Sequence, residues 1–437
     1  MKRFLVLTLG LSLLVGALSS ATLLAQTEKT LLEFNFTNGE YPDSVTFDPS
    51  GNLWVVLNAG GIANTTNCTN FGCGTIVELT PSSGSWTPKV VYQFHGGNDG
   101  AFPSGNLYFD GQGNAYGTTY SGGASCGCGT VYELSPNNGG WKEIVLYHFE
   151  YNKDHKDGTT PLSGVIGDAA GNLYGTTQTG GLYSQGTVFE LSKSPHGYWT
   201  EHILYNFQFN GTSGYLVYSP LVIDAQGNLY GTTDAGGTNG FCSGDTGCGI
   251  VFELSPGANG VWTEQSIYNF QDPTKGDADR SQGGLVMDAA GNMYGVTLYG
   301  GSLNCSGLGC GAVFELSPNS SGGWTESVIH SFGVTTLDGM QPIGKLTIDA
   351  AGNLYGATEY GGTYNWGSVY ELSPSSSGTW TETQLYSFNR PGGLVPNSGL
   401  AFDSAGNLYG TTLTGGDNRG NCDVGLVGCG VVYQLKP

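Results

Sequence analysis

Carboxylate side chains offer the most direct chemistry in this sequence. A glutamate recurs within a Gly-Thr-Val-Phe-Glu-Leu phrase in six successive segments, and a glutamine takes its place in a seventh. Paired carboxylates can act as general acid and base. A single active site needs only one such set, so we interpret a glutamate that occurs in every repeat as a structural, hydrogen-bonding residue. The positions are Glu78, Glu133, Glu190, Glu253, Glu315, Glu371 and Gln434.

Other titratable residues occur where the repeats differ from one another. Asp277 and Asp279 share a long variable segment, and His155 lies in a polar segment that breaks the pattern. These three residues are the candidates for acid–base catalysis at the mouth of a site. A histidine in a polar surface loop can equally be a solvated residue.

A third group of residues points to ligand binding. Asp99, Asp157 and Asp338 each precede a glycine, so they are either turn formers or acids that approach a central opening and hold a cation or sugar hydroxyls. We predict no cofactor; calcium is the alternative, but the repeated Asp-x-x-Gly-Asn turns lack the alternating oxygen ligands of a calcium loop. Exposed aromatic residues could stack against sugar rings: Tyr120, Tyr299, Tyr360 and Trp366.

The ten cysteines fall into five local pairs, which predicts five disulfide bonds in an exported protein. We predict no metal site at the cysteines, because the pairs belong to separate repeats and no histidine is regularly spaced beside them. The predicted bonds are Cys68–Cys73, Cys126–Cys128, Cys242–Cys248, Cys305–Cys310 and Cys422–Cys429.

One repeated unit positions all of these residues. The phrase Asp-x-x-Gly-Asn-Leu-Tyr-Gly-Thr-Thr occurs in seven variants, at intervals of 54 to 64 residues, which is typical of propellers and solenoids. Phrases rich in β-branched and aromatic residues alternate with Gly, Pro and Asn, so each period predicts four short strands. Four-stranded antiparallel units arranged radially are β-propeller blades. The phrases begin at residues 48, 110, 168, 224, 288, 349 and 403.

The two ends of the chain predict how the ring closes. The seventh period stops after its third strand, and the segment from Glu28 to Phe36 resembles the missing fourth strand. An N-terminal strand that completes the last blade would leave no long unpaired edge. We therefore predict an all-β, single seven-bladed propeller over residues 28–437.

The N-terminus and the net charge bear on location. Residues 1–25 read as a signal peptide, with Lys2 and Arg3 before an apolar run and cleavage near residue 21 or 25. Without those two bases the net charge of −21 becomes −23, which disfavours nucleic acids and anionic lipids as partners. No further apolar run follows, so we expect a secreted or periplasmic, soluble monomer without a membrane span.

The chain resembles the Gloeo/Verruco (GloVer) tandem-repeat proteins of bacteria. The resemblance rests on the segment from Asn172 to Thr177, on Gly180 and Gly181, on the segment from Gly186 to Leu191, and on their six counterparts. That family has no assigned activity, so the resemblance implies secretion and a repeat fold without implying a reaction. A broader similarity extends to propellers such as the streptogramin lyases, whose chemistry is not transferred because no matching His and Glu arrangement is found.

Two sets of loops vary most in length, those between second and third strands and those that link the blades. Both sets belong to one face of the ring, and variable loops often carry function. We therefore expect a binding module that contacts a glycan or an exported protein on this face. One alternative is an extracellular polysaccharide lyase or hydrolase, and a second is a structural envelope or matrix protein.

Overall fold

The computed structural model describes residues 27–61, 68, 71–123, 126–151, 156–238, 241–242, 245–273, 276–305, 307–335, 337–416, 422 and 428–436. Apart from two short 3-10 turns, the regular structure in these ranges is β. Seven sheets, each with four main antiparallel strands, form the blades of a seven-bladed propeller, which confirms the predicted fold. Within the same ranges, no helix has the length and apolar character needed to cross a membrane.

Blades 1, 2 and 6 have uninterrupted strands, which follow one another from the axis outwards. Blade 1 consists of Glu40–Phe47, Leu53–Ala59, Thr75–Ser82 and Ser85–Gln93. Blade 2 consists of Ala101–Phe109, Ala115–Ser121, Thr130–Asn137 and Gly140–His148. Blade 6 consists of Gly339–Ile348, Leu354–Gly361, Ser368–Pro374 and Trp380–Ser387.

In blades 3, 4 and 5 the two inner strands are each divided into two parts. Blade 3 consists of Gly158–Thr159 with Val165–Gly167, Leu173–Thr177 with Thr179–Gly180, Thr187–Lys193 and Trp199–Asn206. Blade 4 consists of Gly214–Tyr215 with Val222–Ile223, Leu229–Thr232 with Ala235–Gly236, Ile250–Pro256 and Trp262–Asn269. Blade 5 consists of Ala278–Asp279 with Leu285–Met287, Met293–Thr297 with Tyr299–Gly301, Gly309–Pro318 and Trp324–Ser331.

Blade 7 joins the two ends of the chain, as the sequence predicts. Its inner strands are Leu394–Pro396 with Ala401–Phe402, Leu408–Thr414 and Val431–Leu435, and its fourth strand is the N-terminal Glu28–Glu33. The register pairs Glu28 with Leu435 and Glu33 with Val431. Phe34, the next residue, donates its backbone N–H to Gly430 and is fully buried. The ring is therefore closed by backbone pairing and by a buried side chain.

Aromatic contacts between neighbouring blades supply much of the core. The tryptophan that begins a fourth strand packs against the second-strand tyrosine of the preceding blade. Trp199 meets Tyr116 with ring centroids 6.5 Å apart, and Trp262 meets Tyr174 at 6.2 Å, in both cases edge to face. Because both residues recur in most periods, each repeat carries one half of the interface that it needs.

The innermost strands of adjacent blades touch around the axis, and glycine makes this contact possible. Gly105 has a φ of +76°, and a Cβ atom there would lie 2.1 Å from the backbone of Ser163 in the next blade. Gly344 occupies the corresponding place in blade 6, where a Cβ atom would lie 2.4 Å from the Gly399 nitrogen. A side chain at either position would push the blades apart, so these glycines set the spacing at the centre of the ring.

Candidate functional site

The third-strand carboxylates are hydrogen-bonded within the blades. Glu253 accepts a 3.0 Å bond from the hydroxyl of Ser255, and the Glu315, Glu371 and Glu133 carboxylates accept from the serine two residues further on. In the seventh blade the amide of Gln434 donates to the Tyr409 hydroxyl at 2.7 Å. These contacts agree with the structural interpretation of this repeated position.

Both carboxylate oxygens of each turn aspartate accept hydrogen bonds from the aspartate's own turn. In blade 4, Asp224 Oδ1 accepts from the backbone nitrogens of Gln226 and Asn228 at 2.9 and 2.8 Å. Oδ2 accepts from the Asn228 amide at 2.8 Å and from the Tyr230 hydroxyl at 3.1 Å. The arrangement recurs at Asp48, with Trp54 in place of tyrosine, and at the other turns.

Substitution of Asp224 with alanine is expected to lower the free energy of unfolding by about 1–3 kcal/mol, because four donors lose their acceptor. Urea unfolding of wild type and Asp224→Ala, each with calcium and again with chelator, measures the loss. The same loss under both conditions is expected for a hydrogen-bonding role. A loss that appears only with calcium would instead identify the turn as a cation site.

The loop acids lie between the fourth strands of adjacent blades. The Tyr147 hydroxyl donates to Asp157 at 2.5 Å, and the Tyr268 hydroxyl donates to Asp277 at 2.8 Å. Asp99 accepts in the same way from Tyr92. From the sequence, Asp99 and Asp157 were either turn formers or acids near the central opening, and their tyrosine partners place them at the ends of the fourth strands, towards the periphery of the ring.

A glutamate of the next blade completes each of these groups, which we call the outer carboxyl clusters. Burial, together with repulsion from the neighbouring aspartate, raises the pKa of Glu143 and of Glu201 to about 8 and that of Glu326 to about 7. The sequence analysis did not single out these glutamates, because they recur with the Trp-Thr-Glu phrase. The clusters are Tyr92–Asp99–Glu143, Tyr147–Asp157–Glu201, Tyr268–Asp277–Glu326 and His330–Asp338–Glu382.

The three candidates for catalysis are not brought together by the part of the chain that the structure describes. Asp277 belongs to an outer carboxyl cluster. Asp279 is fully buried in the first strand of blade 5. His155 lies outside the described residues. Their proposed catalytic role remains a prediction.

Apolar side chains are concentrated on the face that carries the variable loops, which we call the long-loop face. Among the described residues, all the exposed large apolar side chains except Ile144, Tyr198 and Val261 lie on or beside second-to-third-strand loops or blade-linking loops. Tyr120 and Trp366, two of the predicted stacking residues, are 40% and 44% exposed there. A concentration of exposed apolar side chains on one face is typical of an interaction surface.

All five predicted disulfide bonds are present, with Cα–Cα distances between 5.0 and 5.4 Å. Each lies between a second and a third strand on the long-loop face. The carbonyl of the second cysteine often accepts a hydrogen bond from the next blade, as Cys73 does from Phe102 at 2.8 Å and Cys128 from Thr160 at 3.0 Å. The bonds therefore brace loops that also hold adjacent blades together.

Each blade has one non-glycine residue with positive φ near the start of its innermost strand. The φ values lie between 54° and 60°, a conformation that is uncommon for side chains with a Cβ atom. The hydrogen bonds that Phe102 and Thr160 donate to the preceding blade supply a structural reason for it. The seven residues are Tyr41, Phe102, Thr160, Leu216, Arg280, Gln341 and Val395.

These residues form the first layer around the axis, and alternation along the strand places a second layer two residues further on. In both layers the side chains are mostly half-buried, whereas the residues between them are buried. Their identities differ from blade to blade although the repeated phrases vary little, so they are candidates for ligand contact. The second layer consists of Asp43, Ser104, Leu162, Tyr218, Gln282, Ile343 and Asn397.

This axial lining was not among the features predicted from the sequence. Its signal was available: the residues on either side of a recurrent proline, as in Phe102-Pro103-Ser104, vary in every period. Two ionisable groups near the axis have shifted pKa values. Burial raises the pKa of Asp43, whose carboxylate accepts a 2.6 Å bond from the Gly105 nitrogen, and burial lowers the pKa of the Lys345 amine.

A cleft of about 200 Å³ lies between blades 5 and 6 on the long-loop face. Tyr299 and Tyr360 occupy equivalent positions in the two blades, each directly before the glycine pair at the end of the second strand. The Arg280 guanidinium lies 5.7 Å from the Tyr299 ring centroid, which positions that ring by a cation–π contact. The lining consists of Tyr299, Cys305, Leu308, Gly309, Met340, Gln341 and Tyr360.

The cleft therefore brings together two of the four predicted aromatic residues. It also joins the axial lining, because Gln341 belongs to the first layer. Aromatic walls with a small number of polar groups are typical of small-ligand sites.

Comparisons with known proteins agree with this architecture. A family model described as the Gloeobacter/Verrucomicrobia repeat matches residues 8–243 and 241–421. A solved protein from Lactobacillus plantarum has a TM-score of 0.53 at 13% identity and covers 88% of this chain and 99% of its own. PorZ, described as a surface component of the type-IX secretion system of Porphyromonas gingivalis, has a TM-score of 0.50 at 14% identity and covers 93% of this chain and 48% of its own.

A putative oxidoreductase (glucose dehydrogenase) from Thermus thermophilus aligns less well, with a TM-score of 0.43, 15% identity, and coverage of 76% of this chain and 96% of its own. No curated protein sequence matches the chain. At these identities the structural matches bear on the fold alone.

Proposed function

This chain belongs to the Gloeobacter/Verrucomicrobia repeat family, and we propose that it is an exported binding module that holds a glycan on its long-loop face. The observation that carries the proposal is the cleft between Tyr299 and Tyr360. Two tyrosines from adjacent blades flank a space of about 200 Å³, which is the scale of one sugar ring. Their rings offer apolar faces for stacking, and the amide of Gln341 offers hydrogen bonds to hydroxyl groups.

Export is supported by two independent features. The signal-like segment at residues 1–25 would direct the chain out of the cytoplasm. Five disulfide bonds on one face are typical of an oxidising compartment. A secreted or periplasmic location is thus part of the proposal.

A binding role fits the cleft better than catalysis does. The groups that line it are phenol rings, aliphatic and thioether side chains, a disulfide sulfur and one amide. Such groups stack and form hydrogen bonds, and the lining residues that the structure describes supply no carboxylate or imidazole, the side chains most often used for acid–base catalysis. The variable axial lining beside the cleft gives the ligand further contacts that differ around the ring.

We expect Tyr299→Ala and Tyr360→Ala each to weaken glycan binding by at least about tenfold, because each removes one wall of the cleft. The measurement is a glycan-array screen of the oxidised protein, with calcium and with chelator, followed by calorimetry on the best ligand. Tyr183→Ala is the matched control, since it removes an exposed tyrosine from the same face in blade 3 that does not line the cleft. Full glycan binding by the variant that carries both Tyr299→Ala and Tyr360→Ala, or no saturable glycan binding by wild type, would overturn the proposal. Binding of an exported protein in place of a glycan would support a protein partner on this face.

A further inference from the structure

The outer carboxyl cluster between blades 5 and 6 departs from the others. At five of the other six interfaces a tyrosine occupies the next-to-last position of the fourth strand, and Leu32 takes this place where blade 7 meets blade 1. The tyrosines are Tyr92, Tyr147, Tyr205, Tyr268 and Tyr386. At this interface the residue is His330. Its Nε2 atom is 3.9 Å from Asp338 Oδ1, too far for a hydrogen bond, and is buried without a hydrogen-bond partner among the described residues.

The missing phenol leaves a carboxylate open. In the equivalent glutamates of four other interfaces, Glu143, Glu201, Glu264 and Glu326, the Oε1 atom is buried. Glu382 instead lines a cleft of about 700 Å³ together with His330, Asp338 and Gln384. This cleft is distinct from the one between Tyr299 and Tyr360, because it lies between the fourth strands.

The remaining acid of the cluster is already satisfied. Asp338 Oδ2 accepts from the Val334 nitrogen at 3.1 Å, and Oδ1 accepts from the Gly339 nitrogen at 2.8 Å. Glu382 and His330 are therefore the ionisable side chains of the lining that are available to a ligand, and two such groups are fewer than the three or four protein ligands usual for a metal ion such as zinc. The rim of the cleft is apolar, with Val334 63% exposed and Leu337 58% exposed.

We propose that this cleft is a second binding site, which takes the ammonium group and aliphatic stem of a lysine side chain presented by an exported peptide or protein. The ammonium group pairs with Glu382 in the place that the tyrosine hydroxyl occupies elsewhere. The stem packs on Val334 and Leu337. A chain with a net charge of −21 also attracts a cationic ligand over longer distances. The proposal does not rest on glycan binding, since the two sites share no lining residue.

The test uses the whole oxidised protein and a single blocked amino acid. N-acetyl-lysine methylamide is titrated at pH 8 and followed through the histidine ring signals by NMR, with N-acetyl-norleucine methylamide as the uncharged analogue. The chain has six histidines, and the His330 signal is assigned by its loss in His330→Gln. We expect saturable shifts at His330 with a dissociation constant of the order of 1 mM, as befits one side chain, and at least tenfold weaker binding of the norleucine analogue.

Two substitutions separate binding from folding. His330→Tyr introduces the tyrosine found at the five interfaces named above, so it should fold normally and abolish binding by closing the cleft. Because this variant lacks the His330 reporter, binding to the variants is followed on the ligand signals by saturation-transfer difference NMR. Glu382→Gln should weaken binding at least tenfold, whereas Glu326→Gln, the equivalent change one interface earlier, should leave it unchanged. Equal binding of the two analogues, retained binding by His330→Tyr, or equal effects of Glu382→Gln and Glu326→Gln would each overturn the proposal.

Discussion

Raising the pH from 5 to 8.5 is expected to lower the free energy of unfolding of this protein by several kcal/mol. The cause is the set of buried glutamates in the outer carboxyl clusters. Glu143 and Glu201 have pKa values of about 8 and Glu326 of about 7, against 4.5 for an unperturbed glutamate. One pKa unit corresponds to about 1.4 kcal/mol, and after allowance for solvent screening we expect of the order of 1–2 kcal/mol for each glutamate.

The chemistry of one cluster shows why a protonated glutamate is preferred. The Tyr268 hydroxyl has a single proton, which it donates to Asp277 at 2.8 Å. Glu326 Oε2 lies 3.2 Å from the same hydroxyl oxygen. Only a protonated Glu326 can donate to that oxygen, and an ionised one would add a second negative charge beside Asp277.

The sign follows from linkage. A pKa that is higher in the folded state than in the unfolded state gives stability that is complete below pH 4.5 and is lost as the pH rises through 7 to 8. Turn residues such as Asp349 limit stability at low pH. Burial raises the pKa of Asp349, but the hydrogen bonds that its carboxylate accepts, chiefly from Asn353, outweigh burial and lower the pKa below its usual value. Those residues lose their contribution as the pH falls below about 4. We therefore expect maximal stability near pH 4 to 5.

The measurement is chemical denaturation at pH 5, 7 and 8.5 for wild type, Glu143→Gln and Glu201→Gln. Each variant should unfold near the wild-type denaturant concentration at pH 5 and above it at pH 8.5, because the amide cannot ionise. The pH 5 data serve as the control for altered packing. Stability that is constant or rises between pH 5 and 8.5 would contradict the assignment of these glutamates as protonated groups.

The sequence predicted the features that repeat, and it predicted much less of what differs between blades. One phrase occurs in seven periods, and each period predicts four strands. The seventh period ends at Pro437 without a fourth strand, and the segment that begins at Glu28 resembles that missing strand. Cysteine pairing was also predictable, because each pair is close in the chain. These inferences rest on local or repeated patterns, which are visible in a single sequence.

The spatial neighbours of the acids were not predictable in the same way. Asp157 follows a blade, so its position suggested the central opening, but its partners Tyr147 and Glu201 lie on two different fourth strands. Contacts between blades join residues that are about one period apart, and no local pattern specifies them. The axial lining was missed for a related reason, since its residues are defined by a layer around the ring and not by a motif along the chain.

Substitution of Phe34 with alanine is expected to lower the free energy of unfolding by about 3–5 kcal/mol, as is usual for a buried phenylalanine. Phe34 is fully buried, packs in the core shared by blades 1 and 7, and follows the strand that closes the ring. Phe207 is the equivalent residue of blade 3 and is also fully buried. All four strands of blade 3 come from one stretch of the chain, so this blade does not depend on the N-terminal strand. Thermal and urea unfolding of Phe34→Ala and Phe207→Ala measure the two losses under identical conditions.

Comparable losses would show that the N-terminal strand is held as firmly as an internal one. Deletion of residues 27–34 should then have a larger effect, because it leaves the strand Val431–Leu435 with an unpaired edge that can associate with other chains. Size-exclusion chromatography of the deletion variant should show oligomers. If Phe34→Ala retained wild-type stability while Phe207→Ala lost several kcal/mol, blade 7 would lack a firmly held fourth strand in solution. The inner strands of blades 7 and 1 would still meet at the axis, where the Asn397 amide donates a 2.7 Å hydrogen bond to the Pro42 carbonyl, so the axial lining does not depend on the N-terminal strand.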